Sequence, residues 1–592
     1  MTTPGSVHGQ ASVAPDAIII SGPDTYVPQI TRLYGGYKRT RDLYGRATYQ
    51  KDPDQGDPGL WDAYVYWSAA DSKWCAGARL GAAIGELHKQ DPSAADAVLV
   101  YQVAPAGSEH PCLHGSWVAN LYGSGARYQA DHALKFEALA LPREAADPAG
   151  RLHVCARKFV DYEFPPKTTS IEGGVPPLHP ARSWGRSAEA AAWLPATLLA
   201  GQPAGPLFPA PGRPPCDWLA EVPPEVGGIY PILAAVQEYP GHLEALFSPS
   251  PEMTQLGKCA VRLFDVLRSE WRRITVDEFV PVVHTADGVP APWLGGHLKS
   301  LWALLLEKAL AKLCGGYEAL RRSESGLILA ALTGQAAGLT RWQRENGWWS
   351  LWSFLLPEQQ HEPMAATSVL GRSTATPSSV AATAAPTLHR RVLSVRPLRG
   401  ALGRIGGSWQ QDADLFATLR ELHRANALLF AYAEVAPSAS NDTLRGQPSV
   451  SEGGVVRGHG YSLLGFVEIE EGQEASGLRL VQLRNIWGPG LQWRGCWSEG
   501  ASEWQAFPGV RRRHLRPEHQ AAGRFWMAWP DFCREFDSLE VCPMPAAARK
   551  ASHVPPSLRG QRSGVAARGG READGYGLFR WRCCAVERAR ER

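Results

Sequence analysis

The residues best placed to do chemistry lie between Gly453 and Trp504, in the run GGVVRGHGYSLLGFVEIEEGQEASGLRLVQLRNIWGPGLQWRGCWSEGASEW. His459 precedes an alternating apolar stretch and Asn485 ends the next one, so an antiparallel hairpin would bring imidazole and carboxamide together. That pair suits cysteine chemistry. A thiolate nucleophile stays ionised near neutral pH when an imidazolium stands beside it. The imidazole in turn needs an acceptor on its other nitrogen to fix its tautomer and orientation. Taken singly, a His and an Asn at these places could equally be residues that cap strand ends. Eleven cysteines are scattered along the chain with no C-x-x-C pair, which argues against zinc and disulfide frameworks.

The whole run, about 50 residues, resembles the calpain family of papain-like cysteine peptidases. That family shows G-H-A-Y-S, two strands, L-x-R-N-P-W-G and then W-x-G-x-W-S-D…W. By this resemblance His459 falls on the catalytic histidine, Asn485 on the asparagine that orients it, and Trp487 on the tryptophan that shields the asparagine. Other segments are similar to the family core. FVDYEFPPKTTSI (Phe159–Ile171) looks like its opening segment, and SEWRRITVDEFVPVV (Ser269–Val283) like its G-x-W-x-x-V-x-V-D-D-x-L-P stretch. LWALLLEKALAKLCGGYEAL (Leu301–Leu320) is close to a family helix, with Leu304, Leu305, Ala309 and Leu313 at helical spacing. GRFWMAWPDFCREFDSLEVC (Gly523–Cys542) resembles the segment that closes the core. The resemblance covers roughly residues 157–545, about two thirds of the chain.

The departures from the family fall where its chemistry resides. The family nucleophile lies in Q-G-x-L-G-D-C-W-x-L-A-A at the start of a buried helix. Here the segment reads PPEVGGIYPILAAVQEYPGHLEALF, and the downstream residues fix the register. Tyr230 then occupies the cysteine position, at the head of a helix and expected to face His459; Ile229 replaces the Asp and Pro231 the Trp. The glutamine that serves the oxyanion, six residues before the nucleophile, becomes Pro224. A phenol, with an ordinary pKa of ~10, cannot stand in for a thiolate in acyl transfer. Proline has no side-chain donor, and one oxyanion donor is typically worth ~3 kcal/mol. Two other cysteines could compete for the role. Cys216 is followed by Pro223 and Pro224, which bar a long helix there. Cys259 alternates into a strand reading. Both read as ordinary thiols. Calcium, the family's usual activator, also meets altered residues: Gln520, Ala522 and Arg524 stand where ligands are implied, and SGLILAALTGQ (Ser325–Gln335) has Leu and Ala where the family has acids. No bound cofactor is expected.

The elements that must position these residues exceed one core, since 592 residues call for two to four domains. Residues 1–16 read as a disordered leader, and 17–120 as a small β-rich module with aromatic hairpins. Residues 121–156 read as a linker. The expected fold class is α+β: a two-lobed papain-like peptidase core over 157–545, a helical lobe of about 157–340 and an antiparallel sheet or barrel lobe of about 341–545. Residues 357–405, rich in Ala, Ser, Thr and Pro, read as a disordered insertion, and the Arg-rich 546–592 as a basic tail.

A net charge of +3 argues against a nucleic-acid partner. No stretch approaches the ~18 apolar residues needed to span a bilayer, and no signal peptide is visible, so a cytoplasmic protein is expected. The functional expectation is a calpain-like protein that has lost its nucleophile, a pseudoprotease that binds proteins or extended peptides. The competing readings are a live calcium-dependent endopeptidase using Cys216 or Cys259, and a purely structural assembly protein.

Overall fold

A computed structural model of the chain describes residues 14–23, 25–26, 28–52, 63–82, 99–102, 111–112, 117–119, 129–131, 133–139, 158–173, 191–201, 204–205, 207–208, 229–247, 253–284, 290–294, 300–321, 323–336, 339–345, 348–354, 402–433, 450–469, 476–485, 493–514 and 523–545. Among them the polypeptide is α+β, with mixed helices and antiparallel sheets.

The amino-terminal part is one antiparallel sheet: β1 (Ala17–Ser21), the turn of helix α1 (Pro28–Thr31), β2 (Gly35–Leu43), β3 (Arg46–Lys51), β4 (Tyr64–Ser68), β5 (Lys73–Gly77), β6 (Val100–Gln102), β7 (Trp117–Ala119), β8 (Gln129–Asp131) and β9 (Lys135–Leu139). The strands meander from β1 to β8, and β9 returns to pair with the free edge of β1. The turn between β2 and β3 is the two-residue Tyr44-Gly45, both with positive φ, the geometry that matches strand twist in tight hairpins. Buried aromatics fill its core, among them Trp74, Trp117, Tyr37 and Tyr49, with Trp117 stacked on Phe136. The reading of 121–156 as a linker is corrected here, because β8 and β9 belong to the sheet. In β9, Phe136 and Leu139 are buried while Lys135, Glu137 and Ala138 are exposed, and the strand pairs with β1 from Ala17 opposite Leu139 to Ser21 opposite Lys135.

This sheet is seated on the next part of the chain. Ala17, Leu139, Val160 and Phe279 share a buried cluster with Tyr162 and Trp193 packed on it. Gly36 permits the close approach: a Cβ there would lie 2.2 Å from the Tyr162 ring. Asp52 pairs with Lys38 at 2.8 Å and accepts from the Tyr162 hydroxyl at 3.1 Å.

The helix-rich part contains α2 (Thr168–Glu172), β10 (Ala192–Pro195), α3 (Ala196–Ala200), α4 (Ile229–Gln237), α5 (His242–Leu246), the hairpin β11 (Cys259–Asp265) and β12 (Glu270–Val276), β13 (Phe279–His284), β14 (Pro290–Pro292), α6 (Leu301–Cys314), α7 (Tyr317–Arg321) and α8 (Ser325–Thr333). Helices α4, α6 and α8 are apolar on nearly every side, the pattern of a helix with no solvent face. The two adjacent charges in α6 are buried and paired: Lys308 with Asp277 and the Phe279 carbonyl, Glu307 with Tyr230. Lys312, one turn on, pairs with Asp161 at 2.8 Å.

The remaining part is an eight-stranded antiparallel sheet built from β15 (Thr340–Glu345), β16 (Trp348–Phe354), β17 (Leu402–Gln411), β18 (Leu428–Ala433), β19 (His459–Glu468), β20 (Arg479–Arg484), β21 (Arg524–Ala528) and β22 (Ser538–Cys542). Its order is β17-β16-β15-β22-β18-β19-β20-β21. Helices α9 (Asp412–Arg424) and α12 (Trp529–Glu535) cover one face, and α10 (Glu503–Ala506) and α11 (Pro508–His514) precede β21. Of the stretch 357–405, residues 357–401 lie outside the described residues and the last four open β17. Strand β18 alternates between two cores. Leu428 and Phe430 join the core of the helix-rich part, and Leu429, Ala431 and Ala433 join that under α9 and α12. The two parts therefore share buried surface, with α4 packed on β18 and β19. Residues 1–13 and 546–592 lie outside the described residues.

Candidate active site

His459 opens β19, level with Ala433 on β18, and Asn485 follows the last residue of β20. The two strands form the expected antiparallel pair, with Ser462 opposite Arg484. The imidazole is hydrogen-bonded to the Asn485 side chain. Asn485 is fully buried, and its backbone N–H donates to the Gly523 carbonyl at 2.9 Å, which ties it to the start of β21. The His459 ring meets the ring of Tyr461, two residues along the same face, edge-on at 5.1 Å. Tyr461 is itself fixed, because its hydroxyl accepts the Val456 N–H at 2.9 Å. Burial pushes the imidazole down to about 3, and the bond to Asn485 opposes that only in part. His459 is a neutral imidazole near pH 7 in this setting.

Gly460 follows His459 where the family pattern has Ala. A Cβ at this position would lie 2.0 Å from the Phe430 ring, so phenylalanine fills the space of the missing methyl. The W-x-G-x-W run folds over the site's flank: Trp493 Nε1 donates to the Cys496 carbonyl at 2.8 Å, and the Arg494 N–H donates to the Gly453 carbonyl at 2.8 Å.

Tyr230 is the second residue of α4, as its register requires. Pro231 sits beside it in the first turn, where a missing N–H breaks no helical bond. The phenol is wholly buried in the helix-rich core, and its hydroxyl donates to the Glu307 carboxylate on α6. Glu307 is buried on α6, and the Tyr230 hydroxyl at the head of α4 supplies it with a donor. Burial, and then the neighbouring Glu307, hold the phenol well above its ordinary value. Burial likewise pushes the Glu307 carboxyl up to about 7, with the bond from Tyr230 working against it. Sequence reasoning missed Glu307, although a glutamate inside LLLEKAL was the visible signal of a buried acid in need of a partner.

Cys259 is the first residue of β11, paired with Val276 and buried in the helix-rich core, and burial pushes its thiol up to about 12. Arg524, where a calcium ligand was implied, is paired with Glu238 at 3.1 Å. The stretch Ser325–Thr333 is the buried helix α8 and offers no carboxylate. Pro224, Trp487, Cys216, Gln520 and Ala522 lie outside the described residues.

The pairing of His459 with Asn485 at the mouth of an antiparallel hairpin is matched by a comparison of the sequence with known families. Calpain family cysteine proteases match over residues 232–543. The chain belongs to the calpain family. The matched stretch holds His459 and Asn485 and begins two residues after Tyr230. Among curated relatives, the calpain-type cysteine protease DEK1 of Arabidopsis thaliana is 27% identical over 293 residues, 50% of this chain and 10% of its own length. The calpain-type cysteine protease ADL1 of Oryza sativa subsp. japonica is 28% identical over 331 residues, 55% of this chain and 11% of its own. The human calpain-1 catalytic subunit is 25% identical over 293 residues, 48% of this chain and 29% of its own. This calpain-family chain thus spans between 10% and 29% of the length of these relatives. Among the described residues no helix is long and apolar enough to cross a membrane.

Proposed function

We propose that this calpain-family chain is a pseudoprotease: a two-lobed papain-like core that holds proteins or extended peptides without cutting them. One observation carries the reading. The residue at the nucleophile position, Tyr230, has its hydroxyl committed to Glu307 inside the helix-rich core. The neutral, buried state of His459 supports it, because a thiolate needs an imidazolium partner. So does the burial of Cys259 in a strand, with its thiol held protonated.

Calcium activation does not fit the residues described. A guanidinium in an ion pair and an acid-free buried helix are poor company for a dication that takes six to eight oxygens. The reading therefore includes no calcium-dependent step.

Casein cleavage and labelling by an epoxysuccinyl thiol probe, compared between the full chain and His459→Ala, test the proposal. The expected result is no cleavage and the same labelling in both proteins. Cleavage by wild type that His459→Ala abolishes would overturn it, and mapping the labelled peptide would then separate Cys216 from Cys259.

A further inference from the structure

Two arginines stand directly opposite each other on neighbouring strands: Arg484 at the end of β20 and Arg524 at the start of β21 are Cα partners. They share the side of the sheet to which Phe430 and Ser462 belong, the side packed on α4. Like charges in this position repel and would disfavour the pairing of the two strands. A single carboxylate from the other part of the molecule lies between them. Glu238, just past the end of α4, accepts from Arg484 Nη1 at 2.7 Å, and from Arg524 Nη2 at 3.2 Å through Oε1 and 3.1 Å through Oε2. Glu238 and Arg484 are sheltered, with side-chain exposures of 11% and 4%, and Arg524 is part-exposed at 25%. The residues are 246 and 286 positions apart in sequence, so no local preference places them together. A second contact follows at once, the Tyr239 hydroxyl donating to the Asn426 carbonyl at 3.2 Å.

We propose that Glu238 is an ionic latch between the helix-rich part and the eight-stranded sheet: its carboxylate cancels the repulsion between Arg484 and Arg524, and the two parts loosen when it is removed. A sheltered ion pair of this kind is costly to break from one side, because the remaining charges stay buried without compensation. Here the loss of one acid leaves the buried Arg484 directly opposite the part-exposed Arg524. Removal of Arg524 instead leaves the Glu238–Arg484 pair intact and abolishes the like-charge contact. The latch joins the parts whether or not the chain cleaves peptides.

Hydrogen–deuterium exchange on the full chain tests this with Glu238→Gln, Arg524→Gln and the double variant, read in residues 229–239, 480–485 and 524–528. Glu238→Gln should speed exchange about ten-fold or more in all three segments, equivalent to the loss of one tenfold step in the docking equilibrium. Arg524→Gln should stay close to wild type, and the double variant, which removes the like-charge contact but leaves Arg484 without its acid, should recover part of the protection lost in Glu238→Gln. Unchanged exchange in Glu238→Gln, or a double variant as loose as that single one, would overturn the latch. Should Glu238→Gln fail to accumulate as folded protein, the double variant decides: its recovery supports the latch, and its failure overturns it.

Discussion

The hydroxyl of Tyr230 donates to the carboxylate of Glu307, 77 residues away, and both groups are buried. The bond joins the head of α4 to the middle of α6, so the position where the sequence leads one to expect the family nucleophile is part of a packed core. Tyr230→Phe should destabilise the protein by about 1–3 kcal/mol, the cost of leaving a buried acid without its donor. Replacing both partners with apolar groups should cost much less, so Tyr230→Phe with Glu307→Leu should be more stable than Tyr230→Phe alone. Urea unfolding of the three variants measures the difference.

Two buried groups give stability opposite slopes with pH. His459 is held at about 3 against an ordinary 6.5, so the unfolded chain binds the extra proton and stability falls as pH drops below 6.5. Glu307 is held at about 7 against 4.5, so the folded chain keeps the proton and stability falls as pH rises from 4.5 to 7. Relative to His459→Gln, wild type should therefore lose stability on going from about pH 7 to about pH 5. Relative to Glu307→Gln, it should gain stability over the same change. Melts of the three proteins at the two pH values check both signs.

Gly36→Val would drive a methyl into the Tyr162 ring, where a Cβ already meets ring atoms at 2.2 Å. Overpacking of this kind typically costs about 1–3 kcal/mol. The expected outcome is a lower melting temperature, with the amino-terminal sheet melting ahead of the rest in calorimetry. Tyr162→Ala opens the space, so the double variant should cost less than the sum of the two single changes.

Restoring residue types should not restore catalysis. In Tyr230→Cys with Pro224→Gln, the thiol would sit at the head of α4 inside the buried helix-rich core, and the Glu307 carboxyl would lose the phenol that donates to it. Burial of this kind raises a thiol pKa. Casein turnover by the double variant should not exceed that of wild type, and iodoacetamide should modify position 230 only slowly; a measurable gain in turnover would show that the core can still align a nucleophile with His459.

The sequence alone determined much of this protein. The alternation before and after the 470s set two strands, and the types and spacing of His459 and Asn485 set which ends must meet. The run LAAVQEYPGHLEALF put Tyr230 at the head of a helix, and the apolar repeat of Leu301–Leu320 gave α6 its buried faces. These are near-neighbour patterns, and periodicity records them because each element must bury one face. Tertiary structure decided the rest. It returned β9 to β1 across more than a hundred residues, gave Tyr230 to Glu307, and set Glu238 between Arg484 and Arg524. No local pattern encodes such partnerships. A buried polar group takes the donor or acceptor that packing brings within reach, and that choice exists only once distant segments share one interior.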